Sequence, residues 1–333
     1  MTAAPAGLIL AAGRGVRLKP LTDTRPKPML PVAGKPILQY NIERLVAAGV
    51  REIAIVVPPD SDEIARAFGT GKQLGACLAY IIQSEPLGTG HAVALGRAAI
   101  GERRFYLTFG DNLTPWDIGR LAEPHERSGA AATLAVFRAA DPRKHGVAEL
   151  DGDRIARIVE KPEQPRSPWA SAGMYLLEPV IFDAVARLRM SPSGEFHLPE
   201  AVENLIEQGE TVAAARLDTW RSNVNTREEY LEANRLLLAD QAQAVHAVAC
   251  TITAPVGLGA EAHVHESAHL GPAVFCGSGS RIGEGARVEN SVLLDSVTVQ
   301  AGAAVRDCLI GEGALVQSGA VLERRVVGDG EQV

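Results

Sequence analysis

Residues 7–40 read GLILAAGRGVRLKPLTDTRPKPMLPVAGKPILQY. An apolar run feeds Gly13 and Gly15, and Arg17, Lys19, Arg25, Lys27 and Lys35 follow, interleaved with Pro20, Pro26, Pro28, Pro31 and Pro36. Proline fixes φ, so cations set between prolines are held in place rather than left to wander. Glycine lets backbone amides come close to a ligand, and amides beside fixed cations make a cradle for a polyphosphate. Neither common nucleotide loop fits. The dinucleotide fingerprint wants a third glycine where Leu18 stands, and the ATP-type loop wants Gly-Lys-Ser/Thr, which is absent. The spacing therefore predicts a triphosphate clamp of another kind, set against the plainer reading of a tight turn with solvated cations.

Such a turn needs a scaffold, and the following two hundred residues supply one. GLILAA, REIAIVVPP, LAYIIQ and RFYLTFG read as strands. PILQYNIERLVAAG, SDEIARAF (opening on Ser61 and acidic residues, a helix start) and GTGHAVALGRAAI read as the helices between them. That alternation predicts a Rossmann-like α/β domain, its sheet mainly parallel with helices on both faces. Closely spaced strands after it, AATLAVFRA, GVAEL, RIARIVEK and AGMYLLEP, predict that the sheet becomes mixed, and a helix over 226–244 closes the domain.

Beyond residue 250 the texture changes to Gly, Ala and Val. Counting in sixes finds Ile252, Leu258, Val264, Leu270, Cys276, Ile282, Val288 and Leu294, then a slip of one to Val299 and Val305, and another to Ile310, Val316 and Leu322. An inward apolar residue every six positions is the signature of a short hexapeptide-repeat left-handed β-helix, each hexad forming one flat face. The expected domains are 1–245 and 246–333.

Composition bounds the rest. The 333 residues are 46% hydrophobic and 22% charged, with net charge −7, which excludes a general nucleic-acid-binding surface. Cys77, Cys250, Cys276 and Cys308 lie too far apart for a zinc site or a disulfide framework. The first residues lack a signal peptide and no apolar run approaches a membrane span, so a cytoplasmic protein free of membrane is expected. His263, His265 and His269 lack the further ligands a metal site needs and read as solvated.

At this point the motifs add up. LAAGRGVRLKPLTDTRPKPMLPVAGKPIL, followed in order by QSEPLGTGHAV, FGDN, HGV, VEKP, ASAGMYLLEP and VNTREEYLEAN, resembles the sugar-1-phosphate nucleotidyltransferases over residues 7–240. The tail is similar to the β-helix appended to several of them. The resemblance implies that a sugar 1-phosphate attacks a nucleoside triphosphate, with dTTP or UTP and glucose 1-phosphate favoured over GTP with mannose 1-phosphate or ATP. It implies that Leu10, Ala11, Ala12, Gly13 and Gly15 cradle the nucleotide, Arg17 clamps the departing phosphates, and Lys27 neutralises the α-phosphate. Gln83, Gly88 and Thr89 would read the base. Gly146, Glu160, Lys161, Ser171 and Gly173 would hold the sugar phosphate. The cofactor implied is Mg²⁺, on Asp111 and on Asn225, where uridyltransferase-like relatives use an asparagine, or on Asn223, which stands where many relatives carry an aspartate. Taken alone, Gly-Asp-Asn would be a turn and Glu-Lys-Pro a solvated strand end. A homo-oligomer, as dimer, trimer or tetramer, is expected of the tail. Acetyl transfer by the tail and a catalytically weak scaffold protein are the readings of other classes.

Overall fold

The computed structural model describes residues 4–13, 15–59, 61–240 and 250–333. Packing divides the chain into two compact units that interleave in sequence, Met1–Gly13 with Leu38–Arg221, and Arg14–Ile37 with Ser222–Val333. The expected boundary at 245/246 lies outside the described residues. So does the end of the helix expected over 226–244, which is seen as Arg227–Asp240.

The first unit is built on one nine-stranded sheet. Its strands are β1 (Ala6–Leu10), β2 (Glu52–Val57), β3 (Cys77–Ile82), β4 (Phe105–Phe109), β5 (Ala132–Arg138), β6 (Gly146–Asp151), β7 (Arg154–Glu160), β8 (Trp169–Leu177) and β9 (Val212–Arg216). They lie in the order β3-β2-β1-β4-β8-β5-β9-β7-β6. β1 pairs in parallel with β2 and β4, and β2 in parallel with β3. β8 then runs antiparallel to both β4 and β5, so the sheet is mixed where the sequence loses its helices. Helices α1 (Ile37–Ala47), α2 (Asp62–Phe68), α3 (Gly88–Ile100), α4 (Ala122–Ser128), α5 (Ile181–Ala186) and α6 (Leu198–Glu207) complete it.

Side-chain alternation explains why both faces are covered. A Cβ on Gly7 would meet Leu45 of α1 at 3.1 Å, while a Cβ on Gly96 of α3 would meet Leu8 at 3.0 Å on the other face. Leu8, Val56, Leu107, Phe105 and Phe182 are all buried, the two phenylalanines stacked with centroids 5.3 Å apart. Each such side chain contributes roughly 1.5–3 kcal/mol on leaving water. The start of α2 departs from expectation. Ser61 makes no side-chain cap, because its hydroxyl donates to Pro58 O at 2.5 Å instead.

In the second unit short strands stack into three parallel sheets that the chain visits in turn. Thr251 pairs with His269, His269 with Arg287, Arg287 with Ala304, and Ala304 with Val321. The register between turns accordingly advances by 18 residues early and 17 later. The apolar column Leu270, Cys276, Ile282, Val288, Leu293, Val299, Val305, Ile310, Val316, Leu322 and Val327 forms its core. Counting in sixes predicted Leu294 in that column. Cys276 instead pairs with Leu293, so the slip falls one repeat earlier, between Val288 and Leu293. Val292, Leu293 and Leu294 are all apolar and period alone could not choose among them. Glycine stands where turns approach most closely, since a Cβ on Gly277 or Gly311 would lie 2.5 Å from backbone of the next turn. Among the described residues no helix is long and apolar enough to cross a membrane.

Candidate active site

In the first unit the site residues gather at the C-terminal ends of β1 and β4, where open α/β sheets bind ligands. Leu10 ends β1, and its carbonyl accepts Gly110 N at 2.8 Å. Ala11 is buried, its N–H donating to Val56 O, and a Cβ on Gly110 would strike Ala11 Cβ at 2.8 Å. The Gly110–Asp111 turn is thereby pressed against the Leu10–Ala11 turn. Ala12 is half-buried and Gly13 exposed, with open space around Gly13 where a ligand could lie.

The Asp111 turn has supports that the motif reading missed. Asn41 of α1 is fully buried, its Nδ2 reaching Gly110 O at 3.4 Å and its Oδ1 accepting Thr108 Oγ1 and Arg44 Nη1. Arg44 donates onward to Thr114 O at 2.9 Å, and burial pushes its guanidinium down to about 10. Asn112 Nδ2 ties the same turn to Ala172 O of β8 at 2.8 Å. An Asn and an Arg on one buried helix face were the available signal, since buried polar groups need partners.

Gln83 directly follows β3 and is buried, its Nε2 at 3.2 Å from Gly88 O and 3.1 Å from His91 Nδ1. Those contacts take the donor side of the amide and leave its carbonyl as the end the loop presents. Gly88 has φ +93°, and a Cβ there would lie 2.6 Å from Phe196 O. Thr89 Oγ1 accepts Leu198 N at 2.9 Å, so Thr89 holds the start of α6.

The residues expected to hold the sugar phosphate lie on the β6–β7 hairpin and at a bulge in β8. Gly146 pairs with Glu160, and a Cβ on Gly146 would come 3.2 Å from Glu160 Oε2. Lys161 takes a left-handed φ of 43°, donates its N–H to His145 O and places Nζ 3.3 Å from Glu160 Oε1. The register of β8 shifts between Ser171 and Tyr175, whose hydroxyls meet at 2.8 Å. Gly173 sits in that bulge at φ +73°, its backbone against the Phe109 ring. One cation here was not singled out by motif. The Arg221 guanidinium lies 4.2 Å from the Phe137 ring, which meets His145 edge-on. Burial first, and the Arg221 charge second, hold the His145 imidazole below its ordinary value.

In the second unit, the basic turn is as constrained as its prolines imply. Gly15 adopts φ +62°, and a Cβ there would lie 2.9 Å from Lys27 Cβ. Thr22 Oγ1 closes the turn on Gly15 O at 3.0 Å. Arg17 is exposed, whereas Lys27 is buried with its ammonium 2.6 Å from Asn225 Oδ1. Asn225 is fixed in turn by a capping box at the start of α7 (Arg227–Asp240). Thr226 Oγ1 accepts Glu229 N at 3.2 Å, and Glu229 Oε2 accepts the N–H groups of Asn225 and Thr226. Asn223 is half-buried, its carbonyl accepting Asn225 N at 2.8 Å. Asp218 is committed elsewhere, bidentate to Arg120 at 2.7 and 3.0 Å.

Among the described residues no three His, Cys, Asp or Glu side chains group as metal ligands, and His263, His265 and His269 are exposed. Taken by itself, the Asp111 carboxylate is a single hard oxygen donor. It fits a cation such as Mg²⁺ that keeps waters and phosphate oxygens, and does not fit an all-protein cage.

Comparison with known proteins identifies the family. Residues 6–240 match the family model described as "Nucleotidyl transferase", and residues 252–333 match "GMPPB C-terminal domain". A low-salt glycan biosynthesis nucleotidyltransferase of Haloferax volcanii is 34% identical over 71% of this chain, which spans 66% of that relative's length. A glucose-1-phosphate thymidylyltransferase of Streptomyces griseus is 35% identical over 85% of this chain and 79% of its own. A mannose-1-phosphate guanylyltransferase of Mycobacterium tuberculosis is 30% identical over 90% of this chain and 82% of its own. A solved UDP-glucose pyrophosphorylase with bound UDP-glucose superposes with a TM-score of 0.63 at 25% identity, over 72% of this chain and 100% of that one.

Proposed function

The chain belongs to the nucleotidyl transferase family and is a sugar-1-phosphate nucleotidyltransferase, and we propose that it joins dTTP or UTP to glucose 1-phosphate. A phosphate oxygen of the sugar 1-phosphate attacks the α-phosphorus in line, the α–β bridging bond breaks, and pyrophosphate carries away the bonding pair. The nucleophile is already anionic, so positioning and charge neutralisation do the catalysis and no general base is needed.

The buried ammonium of Lys27, pinned 2.6 Å from Asn225 Oδ1, carries this reading. A cation desolvated and locked before substrate arrives costs no reorganisation when charge moves in the transition state. We assign Lys27 to the α-phosphate, Arg17 to the departing pyrophosphate, and the backbone of Leu10, Ala11, Ala12, Gly13 and Gly15 to the nucleotide. The carbonyl of Gln83, with Gly88 and Thr89, reads the base. Glu160 accepts sugar hydroxyls, Lys161 meets the sugar phosphate, and Gly146, Ser171 and Gly173 shape its seat. Mg²⁺ would neutralise phosphate oxygens when bound, and Asp111 would hold it with Asn223, or with Asn225, whose Oδ1 Lys27 already occupies. The stacked C-terminal strands are read as a left-handed β-helix of hexapeptide repeats, domain 246–333, that supports a cytoplasmic homo-oligomer beside a transferase domain 1–245.

Incubation with each NTP, Mg²⁺ and a panel of sugar 1-phosphates, with pyrophosphate measured, tests the proposal. Pyrophosphate should appear fastest with dTTP or UTP and glucose 1-phosphate. Its absence with every pair would sink the transferase reading, and release only with GTP and mannose 1-phosphate would reassign base and sugar.

A further inference from the structure

The turn that bears Lys27 is tied to the far end of the chain. Asp329 Oδ2 accepts both Thr24 Oγ1 and Arg25 Nη2 at 2.6 Å, and Glu312 Oε2 takes the same Arg25 nitrogen at 3.0 Å. Asp329 is itself anchored, its other oxygen accepting Glu312 N at 2.8 Å. Arg25 and Asp329 are only 14% and 18% exposed, so water screens this pair far less than the surface pairs elsewhere. Burial alone would push the Asp329 carboxyl up, but the Thr24 and Arg25 hydrogen bonds outweigh it and hold it below the usual carboxylate range. Other contacts tighten the same segment. A Cβ on Gly328 would lie 3.2 Å from Pro20 Cγ, and one on Gly34 would lie 2.7 Å from the Phe275 ring. Ala33 N donates to Asn234 Oδ1 of α7 at 3.1 Å, and Tyr230 of the same helix donates to Pro31 O.

We propose that Asp329, seconded by Glu312, is a positioning residue for nucleotidyl transfer, strapping Arg25 so that Pro26 and Lys27 are held where the phosphate chemistry needs them. This rests on the transferase reading. Arg25 has extended backbone, φ −146° and ψ 147°, as a residue before proline must, so a guanidinium fixed at position 25 transmits through a stiff Arg-Pro-Lys run. Lys27 is then gripped at its ammonium by Asn225 and at its backbone by the strap. The C-terminal strands become part of the catalytic apparatus rather than an assembly device alone.

Asp295 provides the control. It stands two turns earlier in the same column, where its Oδ1 accepts Ser278 N at 2.8 Å, the same internal bond that Asp329 makes. Full-length wild type, Asp329→Ala and Asp295→Ala are compared by hydrogen exchange and by pyrophosphate release. In Asp329→Ala, amide exchange over residues 15–37 should rise about tenfold, as for a segment that opens locally, while the nine-stranded sheet stays protected. Its kcat should fall about tenfold to a hundredfold with KM for the sugar phosphate nearly unchanged, the pattern of a mispositioned transition-state group. Asp295→Ala should do neither. Unchanged exchange over 15–37 in Asp329→Ala overturns the proposal, as does an equal effect in Asp295→Ala, which would mean general loosening of the stack. Wild type inactive with every substrate pair removes the transferase reading, and the exchange experiment still decides whether the strap orders the turn.

Discussion

In the nine-stranded sheet every strand meets different neighbours. β8 bulges at Gly173 to seat itself on Phe109, β1 turns at Ala11 against Gly110, and the hairpin of β6 and β7 sets Gly146 opposite Glu160. In the C-terminal stack one contact is made again and again, an apolar residue over its equivalent 17 or 18 residues earlier. The comparison teaches where chemistry can be housed. Irregular contacts produce bulges, left-handed residues and buried amides, which aim side chains. Repeated contacts produce a regular stack with little to aim.

That contrast can be broken at its most sensitive point first. Lys27→Met removes a fixed charge while keeping most of the volume, and kcat/KM should fall about 10²–10³-fold in pyrophosphate release. A loss below tenfold would show that burial of this cation is structural only. Next in size is Gly277→Val. Its new side chain would begin 2.5 Å from backbone of the next turn, so the stack should lose about 1–3 kcal/mol and the melting temperature should drop by several degrees. Gly13→Ala is the counterpart, since its Cβ meets nothing within 4 Å. Thermal stability should not change, and any loss of activity would report a ligand lying against that backbone.

The smallest effect expected concerns pH. His125 is buried, with Nδ1 2.9 Å from Thr133 Oγ1 and Nε2 3.1 Å from Glu178 Oε1, beside Arg104 and Glu126. Burial, with help from Arg104, outweighs Glu178 and holds its imidazole below the ordinary 6.5. A group depressed in the folded state favours folding above its unfolded value, and that stability is lost as pH falls from 6.5 through the folded value. Denaturant midpoints should therefore decline below pH 6.5 in wild type, and His125→Gln should flatten that part of the profile.

What could be read from residue order follows the same division. The parallel strands, their helices and the hexads are periodic, so local pattern announced them. The Gly15 to Lys27 turn was legible because proline and glycine act on their own backbone. Contacts between remote residues were not. Nothing near Arg25 announces a carboxylate 304 positions later, and nothing near Asp111 announces Asn41 and Arg44. Arg221 escaped because its meaning lies in Phe137 and His145, on other strands of the fold. The interleaving of the two units was hidden for the same reason, since residues 14–37 carry no mark of the chain they fold with.

The strap draws its two carboxylates from neighbouring turns of a stack, and that has a thermal consequence. A repeat array holds each turn only through its neighbours, so turns open locally on warming before the whole unfolds. Glu312 and Asp329 lie 17 residues apart on two such turns. Heating should therefore release the Lys27 turn while the sheet remains folded, and turnover should fail some degrees below the melting transition.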